Sequence, residues 1–267
     1  MMETRANKYA QTAILLLSLL VFSSFLLMQK EKPVLYIIGD STVRNGDGSG
    51  RNGQWGWGSF IAPYFDTNRI SVSNQAIGGR SSRTFITEGR WDRILATLKK
   101  GDYVIMQFGH NDASPLDDTA RARGTIAGIG NESKDIYNPI RKVNETVYTY
   151  GWYMRKYVKD ALEKGAVPVI CSPVPRDNWK EGKVQRASSG YGLWARQIAE
   201  ETGVPFIDLN EMIAKKYEEL GEEKIKTFFP ADHTHTNKEG AELSAGIVIQ
   251  AIRDSKPGKL DQYLMRR

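Results

Sequence analysis

Residues 34–41 read VLYIIGDS, a run of five apolar residues that ends at a glycine, an aspartate and a serine. A short apolar run that stops at turn residues is typical of a buried strand. Ser41 then follows the carboxyl end of that strand, on a sharp turn that would lift its hydroxyl above the edge of a sheet. A serine in that place is a candidate nucleophile, although a serine after an aspartate is also a common helix N-cap.

Four further runs of the same kind predict strands at 70–76, 103–108, 167–171 and 205–208. Helical patterns lie between and after them, at about 91–99, 148–164, 190–202, 210–220 and 238–255. Apolar strands that alternate with helices predict an α/β protein, with a parallel sheet covered by helices on both faces. Ligands of such sheets bind at the carboxyl ends of the strands.

Two more motifs begin where predicted strands end, Gly78-Gly79 after the second and Gly109-His110-Asn111-Asp112 after the third. The Asn111 amide could donate a hydrogen bond to a developing oxyanion, and glycine lets the backbone at Gly79 approach a ligand closely. Taken alone, each motif is also an ordinary turn. Because the carboxyl ends of parallel strands share one sheet edge, both motifs are expected to converge with Ser41, which favours the functional interpretation.

The segment Asp232-His233-Thr234-His235 contains two of the three histidines of the chain. With a spacing of three, the Asp232 carboxylate can reach one ring nitrogen of His235 and leave the other facing a serine. The segment therefore predicts the base and the orienting carboxylate of an acyl-transfer site whose nucleophile is Ser41.

A metal site is an alternative interpretation of the histidines, because imidazole and carboxylate groups also bind zinc or iron. Its ligands would be His110, Asp232, His233 and His235. We favour the serine mechanism, since a metal site leaves Ser41 and Asn111 without a role.

The 267 residues have the composition of a globular enzyme, with 40% hydrophobic and 25% charged residues, which excludes disordered and fibrous classes. A formal net charge of +6 suits an acidic partner such as a polyuronic acid. The sequence has no basic block interleaved with aromatic residues, so nucleic acid is not an expected partner. The single cysteine, Cys171, excludes an intramolecular disulfide and is expected to be buried in its apolar run.

Residues 13–28 form a nearly continuous apolar stretch that follows the basic residues Arg5 and Lys8. This pattern predicts a signal peptide or an uncleaved signal anchor over residues 1–32, followed by a catalytic domain at 33–267. The stretch is short for a membrane-spanning helix, and it has no cysteine for lipoprotein processing. We therefore expect an exported protein whose N-terminal segment can engage the membrane.

A long, polar and glycine-containing connection covers residues 113–144. Connections of this length are usually a functional rim or a mobile lid. A solvated insertion without a role is an equally good interpretation of the sequence alone.

Together, the motifs Gly39-Asp40-Ser41, Gly79, Gly109-His110-Asn111-Asp112 and Asp232-x-x-His235 resemble the four sequence blocks of the SGNH (GDSL-type) hydrolase superfamily. Within that superfamily, the chain is similar to rhamnogalacturonan acetylesterases. The similar segments are 39–42, 74–81, 150–153 and 232–235, and the run into Cys171. The resemblance covers essentially the whole chain after Lys32, and the motifs occur in the same order as in the family. Some relatives carry disulfides, which this chain cannot form.

The resemblance implies a three-layer α/β/α sandwich with a five-stranded parallel sheet, and neither a metal nor an organic cofactor. It implies that Ser41 is the nucleophile, that His235 is the general base and then the acid, and that Asp232 orients His235. It also implies an oxyanion hole made by the backbone N–H groups of Ser41 and Gly79 and the side chain of Asn111.

The expected substrate is an acetylated acidic polysaccharide, pectic rhamnogalacturonan. Arg80 and Arg83 closely follow the oxyanion glycine, and a planar guanidinium suits a uronate carboxylate, although both could instead be structural ion-pair partners. His233 either contacts the substrate or shapes its turn. Trp55 and Trp57 could stack on sugar rings, but burial is the commoner fate of tryptophan.

Two alternatives to this function stay open at the level of the sequence. The first is an esterase with another substrate, such as the acetyl groups of xylan. The second is a carbohydrate-binding protein on the same fold without turnover, which the complete catalytic set disfavours because a binder does not need Asp232.

Overall fold

Nine strands, numbered in chain order, lie in the computed structural model, which describes residues 31–44, 49–50 and 52–266. They are β1 (Val34–Gly39), β2 (Ser71–Asn74), β3 (Tyr103–Gln107), β4 (Ser133–Asn138), β5 (Val143–Tyr148), β6 (Val167–Cys171), β7 (Trp179–Lys180), β8 (Lys183–Val184) and β9 (Phe206–Ile207). Five of them form one sheet in the order β2-β1-β3-β6-β9. Every neighbouring pair in that sheet is parallel, so the predicted five-stranded parallel sheet is confirmed.

Seven α-helices and three short 3-10 segments complete the described part of the chain. The helices are α1 (Ser82–Thr87), α2 (Arg90–Leu95), α3 (Tyr150–Glu163), α4 (Tyr191–Thr202), α5 (Leu209–Leu220), α6 (Glu222–Lys226) and α7 (Lys238–Ser255). The 3-10 segments are Trp57–Phe60, Ala62–Tyr64 and Pro257–Tyr263.

Two hydrophobic cores lie on opposite faces of the sheet, because successive side chains of a strand point to opposite sides. On β1, Leu35 and Ile37 enter one core and Tyr36 and Ile38 the other. The first core contains buried residues of α5, α6 and α7, and the second contains those of α1 to α4. The three-layer α/β/α fold is thereby confirmed.

Side-chain caps explain where the main helices begin. The Thr149 side chain accepts a hydrogen bond from the backbone N–H of Trp152, so α3 begins at Tyr150 rather than at the predicted residue 148. Asn237 caps α7 in the same way, by accepting from the N–H of Gly240. The predicted helix at 91–99 ends early, at Leu95.

Residues 133–148 form an antiparallel hairpin, β4–β5, in and just beyond the long polar connection. No apolar run predicted it, because most of its residues are exposed. Its turn is held by Asn138, whose side chain accepts from the N–H groups of Ile140 and Arg141. The sequence also missed α1, α6 and the short pair β7–β8.

Cys171 is buried in β6, as expected, and burial raises the pKa of its thiol. Among the residues that the structure describes, no helix is both long and apolar enough to cross a membrane. The predicted export segment at 1–32 lies almost wholly outside the described residues and stays a prediction.

Candidate active site

Ser41 lies on a tight turn at the carboxyl end of β1. The N–H groups of Val43 and Arg44 donate to the Asp40 carbonyl, which closes the turn. The Asp40 carboxylate accepts from the N–H and the hydroxyl of Thr42, at 2.9 and 2.8 Å. The backbone around Ser41 is thus fixed on both sides.

The sheet order brings the other predicted motifs to the same edge. β1 lies between β2 and β3, so the segments that follow these three strands meet above the sheet. This place is the topological switch point, where open α/β sheets bind ligands. Gly79 follows β2 and Asn111 follows β3, and both line a cavity with Ser41.

A connecting segment at residues 54–57 holds the distant histidine turn beside the serine turn. On one side, the Trp57 N–H donates to the Thr42 carbonyl. On the other, the Trp55 N–H donates to the Thr236 carbonyl at 2.8 Å. Gly56 permits this close approach, because a Cβ atom there would lie 2.1 Å from the carbonyl carbon of Val43.

The three predicted catalytic side chains form a continuous chain of hydrogen bonds. Ser41 Oγ lies 2.7 Å from His235 Nε2, and His235 Nδ1 lies 2.7 Å from Asp232 Oδ2. A carboxylate at Nδ1 requires the proton on that nitrogen, which leaves Nε2 free to accept the serine proton. The arrangement can therefore generate a serine nucleophile.

The Asp232 carboxylate is held in its ionised form. Partial burial raises its pKa, but hydrogen bonds from the His235 ring and from the N–H groups of His235 and Thr234 outweigh burial and lower the pKa to about 2. Gln54 adds a fourth donor that sequence reasoning missed, with its Nε2 at 3.1 Å from Asp232 Oδ2. No sequence signal identifies Gln54, because its role depends on a contact between residues 178 positions apart.

Two of the predicted oxyanion donors, Gly79 and Asn111, line the cavity that contains Ser41. Gly79 has a φ of 78°, in the left-handed region that favours glycine. The Asn111 amide donates one N–H to the Arg80 carbonyl at 2.9 Å, which orients the group. An amide nitrogen carries two hydrogens, so the second N–H is available to the cavity that Asn111 lines.

Two buried carboxyl groups lie behind this edge. Burial and the nearby Asp40 raise the pKa of Asp112 to about 7, against the lowering effect of hydrogen bonds from the N–H and the hydroxyl of Ser82. Asp40 Oδ2 faces His110 Nδ1 at 3.5 Å. Burial raises the pKa of Asp40, but His110 and Thr42 outweigh burial and lower it.

Asp112 is expected to make the protein less stable as the pH rises from about 4 to about 7. In this range the unfolded chain releases the Asp112 proton while the folded chain keeps it, so the free energy of unfolding falls and then levels off above pH 7. Asp112→Asn should remove this dependence, with a gain of up to about 4 kcal/mol above pH 7.

Thermal unfolding at a series of pH values measures this effect. The exposed Asp117 lies five residues away and supplies the control variant Asp117→Asn. A difference in melting temperature between Asp112→Asn and the unsubstituted protein that does not change with pH would contradict the prediction.

The structure corrects the prediction that Arg83 contacts the substrate, because this side chain is fully buried. Its Nε lies 2.8 Å from Glu145 Oε1, and its terminal nitrogens donate to three main-chain carbonyls within residues 116–124. The capping box at Ser81 begins α1 just before Arg83 and thereby fixes its direction. The ion-pair interpretation is the right one for this residue.

The other predicted substrate residues differ in their positions. Arg80 lines the cavity, but its guanidinium already pairs with Glu88 at 3.0 Å. His233 is exposed and does not line the cavity, and its carbonyl accepts from the Asp177 N–H. Trp57 is buried, as expected of tryptophan.

The alternative metal set is not assembled. Within the described ranges, no three histidine, cysteine or carboxylate side chains come together in a way that could hold a metal ion. His110 instead donates from Nε2 to the Val174 carbonyl at 3.1 Å.

A cavity of about 670 Å³ opens above Ser41, which is within the usual size of ligand sites. Part of the polar connection at 113–144 forms one wall, which agrees with its interpretation as a rim. The wall contains Ala120, Arg121, Arg123 and Ile140, and Arg176 lines the same cavity. Sequence reasoning missed these arginines, although the pair at 121 and 123 in a polar connection was a visible signal.

Comparison with protein families gives one match that covers most of the chain. The GDSL-like lipase/acylhydrolase family matches residues 37–243. This range begins in β1 and ends in α7, so it includes the serine turn, the oxyanion segments and the histidine turn.

Two similar proteins carry names that state an activity. The chain is 36% identical over 219 residues to a rhamnogalacturonan acetylesterase of Emericella nidulans, which covers 82% of this chain and 84% of that protein. It is 35% identical over 226 residues to the probable rhamnogalacturonan acetylesterase YesY of Bacillus subtilis, which covers 82% of this chain and 92% of that protein.

Among solved structures, the protein YxiM of Bacillus subtilis is similar, with a TM-score of 0.67 and 26% identity. The match covers 84% of this chain and 56% of YxiM, so the chain spans little more than half the length of that protein.

Proposed function

The chain belongs to the GDSL-like lipase/acylhydrolase family and is a carboxylic ester hydrolase, and from that premise we propose that it removes acetyl groups from pectic rhamnogalacturonan through an acyl-enzyme on Ser41. The observation that carries the mechanism is the hydrogen-bonded chain from Ser41 through His235 to Asp232. The names of two relatives at 35–36% identity support the substrate.

In the first half of the reaction, Ser41 Oγ attacks the carbonyl carbon of the acetyl group while His235 Nε2 takes the serine proton. The imidazolium that forms is stabilised by Asp232, which stays ionised throughout because its pKa is about 2. The tetrahedral intermediate then collapses, and the sugar oxygen leaves with the proton from His235. The acetyl group is now esterified to Ser41.

The negative charge of the intermediate develops on the former carbonyl oxygen. The N–H groups of Ser41 and Gly79 and the second N–H of Asn111 would donate to it. A single donor of this kind contributes about 3–4 kcal/mol to transition-state stabilisation. The hydrogen bond from Asn111 to the Arg80 carbonyl fixes the amide in advance, so little reorganisation is needed during the reaction.

In the second half, a water molecule attacks the acetyl-enzyme and His235 accepts a proton from that water. A second tetrahedral intermediate forms in the same oxyanion hole, and its collapse returns the proton to Ser41 Oγ. Acetic acid leaves and ionises to acetate in solution, and the resting state is restored. The cycle uses no group beyond this chain, the ester and water.

The polymeric nature of the substrate places the reaction outside the cytoplasm in this proposal, since a polysaccharide cannot diffuse across a membrane. The export segment predicted at residues 1–32 would bring the catalytic domain to that side. Whether the segment is then cleaved or stays as an anchor does not change the chemistry.

Acetate release from acetylated rhamnogalacturonan tests the substrate, with acetylated xylan measured beside it. The proposal expects the higher kcat/KM on the pectic polymer. A higher kcat/KM on xylan would discard the pectic assignment and keep the esterase, and binding of both polymers without acetate release would favour a carbohydrate-binding protein.

A further inference from the structure

Three arginines at the cavity above Ser41 form no ion pair with a carboxylate among the described residues, although Asp118 interacts electrostatically with Arg121 and Arg123 over a longer distance. Arg121 and Arg176 are exposed, and neither guanidinium forms a hydrogen bond or an ion pair with another residue of the described chain. Arg123 is half-buried and bonds only to neutral oxygens, Ser114 Oγ at 3.0 Å and the Gly79 carbonyl at 3.1 Å. Arginines elsewhere on the surface, such as Arg155 and Arg196, do form ion pairs.

The arginines at 121 and 123 are also held in place by an unusual backbone. Ala122, between them, has a φ of 42°, a left-handed conformation that a side chain other than glycine rarely adopts. Its carbonyl accepts from the buried Arg83, and its N–H donates to Asp118. Strain of this kind persists where the surroundings enforce it, and it clusters at ligand sites.

The charges of this wall are not balanced within the cavity. Glu88 is the one acidic residue among its lining residues in the described chain, and it already pairs with Arg80 and Arg90. Burial and the neighbouring Arg121 lower the pKa of Arg123, although nearby carboxylates oppose this effect. Two like charges side by side at a cavity are stabilised when an anion binds between them.

We propose that Arg121, Arg123 and Arg176 form a carboxylate-binding subsite, which selects esters attached to uronic acid units with a free carboxylate. The inference rests on the proposed function, because it names the feature of the pectic polymer that the cavity recognises. Arg123 links this subsite to the reaction, since its bond to the Gly79 carbonyl places it beside a proposed oxyanion donor. Arg121 and Arg176 are exposed to solvent and add positive charge to the lining of the same cavity.

The test uses deacetylated oligogalacturonate as an inhibitor of p-nitrophenyl acetate hydrolysis, with the fully methyl-esterified oligomer beside it. Methyl esterification removes the charge and keeps the sugar chain. The subsite predicts that the free acid binds at least tenfold more tightly than the methyl ester, and that this ratio falls towards one in high salt.

The double variant Arg121→Gln/Arg176→Gln should lower the ratio about tenfold, because each exposed ion pair contributes a few-fold to binding. Both inhibitors are measured on the same variant, so a change in the turnover of that variant does not alter the ratio of their binding strengths. The matched control is Arg253→Gln. Arg253 lies in the last turn of α7, roughly 22 Å along the helix from Lys238. This variant should keep the preference for the free acid over the methyl ester. Circular dichroism spectra check that both variants are folded.

Equal inhibition by both oligomers of the unsubstituted protein would overturn the subsite, as would a double variant that keeps the full ratio. A different result separates the subsite from the function. If the free acid is preferred but acetylated rhamnogalacturonan yields no acetate, the subsite stands and the proposed substrate of the esterase fails.

Discussion

Ser41→Ala is expected to lower kcat for p-nitrophenyl acetate and for acetylated rhamnogalacturonan by roughly 10⁴- to 10⁶-fold, with the fold intact. Alanine lacks the oxygen that attacks the ester, and the hydrogen bond to His235 Nε2 disappears with it. Because the base and the nucleophile act as a unit, His235→Ala should fall in the same range. Initial rates measure both effects.

A second serine-to-alanine variant serves as a control for effects on activity that do not depend on the nucleophile. The hydroxyl of Ser59, in the 3-10 segment Trp57–Phe60, is buried and has no hydrogen-bond partner among the residues that the structure describes. Ser59→Ala should therefore keep the activity. If Ser41→Ala kept more than about one per cent of kcat, the acyl-enzyme mechanism would have to be abandoned.

Arg83→Met is expected to lower the free energy of unfolding by about 3–5 kcal/mol. The substitution leaves the carboxylate of Glu145, only 7% exposed, without its buried partner. It also removes the donor from three main-chain carbonyls of the segment 116–124, which then stay buried without a hydrogen bond from Arg83. The midpoint of urea unfolding measures the loss.

Two further variants separate this effect from a simple change of charge. Adding Glu145→Gln to Arg83→Met should recover part of the stability, because it removes a buried charge whose remaining ion-pair partner is the exposed Arg141 at 3.5 Å. Lys159→Met removes one partner of an exposed pair with Glu163 and should change the midpoint little. An unchanged midpoint in Arg83→Met would mean that this arginine does not hold the cavity wall.

The sequence predicted the central sheet well because its strands are continuous apolar runs that end at turn residues. Val167–Cys171 has the predicted bounds, and β1 differs by a single residue. The motifs that follow these strands also converge as expected, since parallel strands must share one edge. The predicted chain of Ser41, His235 and Asp232 is within hydrogen-bond distance because the segment 54–57 holds the histidine turn beside the serine turn.

Other parts of the site depend on contacts that no local pattern reveals. Arg83 follows a glycine motif closely in sequence, but the helix that begins at Ser82 carries its side chain into the protein. Gln54 reaches Asp232 only because the segment 54–57 packs between the two turns. The hairpin β4–β5 consists largely of exposed residues, so its pairing left no hydrophobic signal.

The most direct test of the central claim is the mass of the protein after reaction with diethyl p-nitrophenyl phosphate. The reagent phosphorylates an activated serine and forms a stable analogue of the acyl-enzyme. We expect one diethylphosphoryl group per chain, on the peptide that contains Ser41, with activity lost in proportion. Modification of another residue with the activity lost, or full activity after complete modification of Ser41, would contradict it.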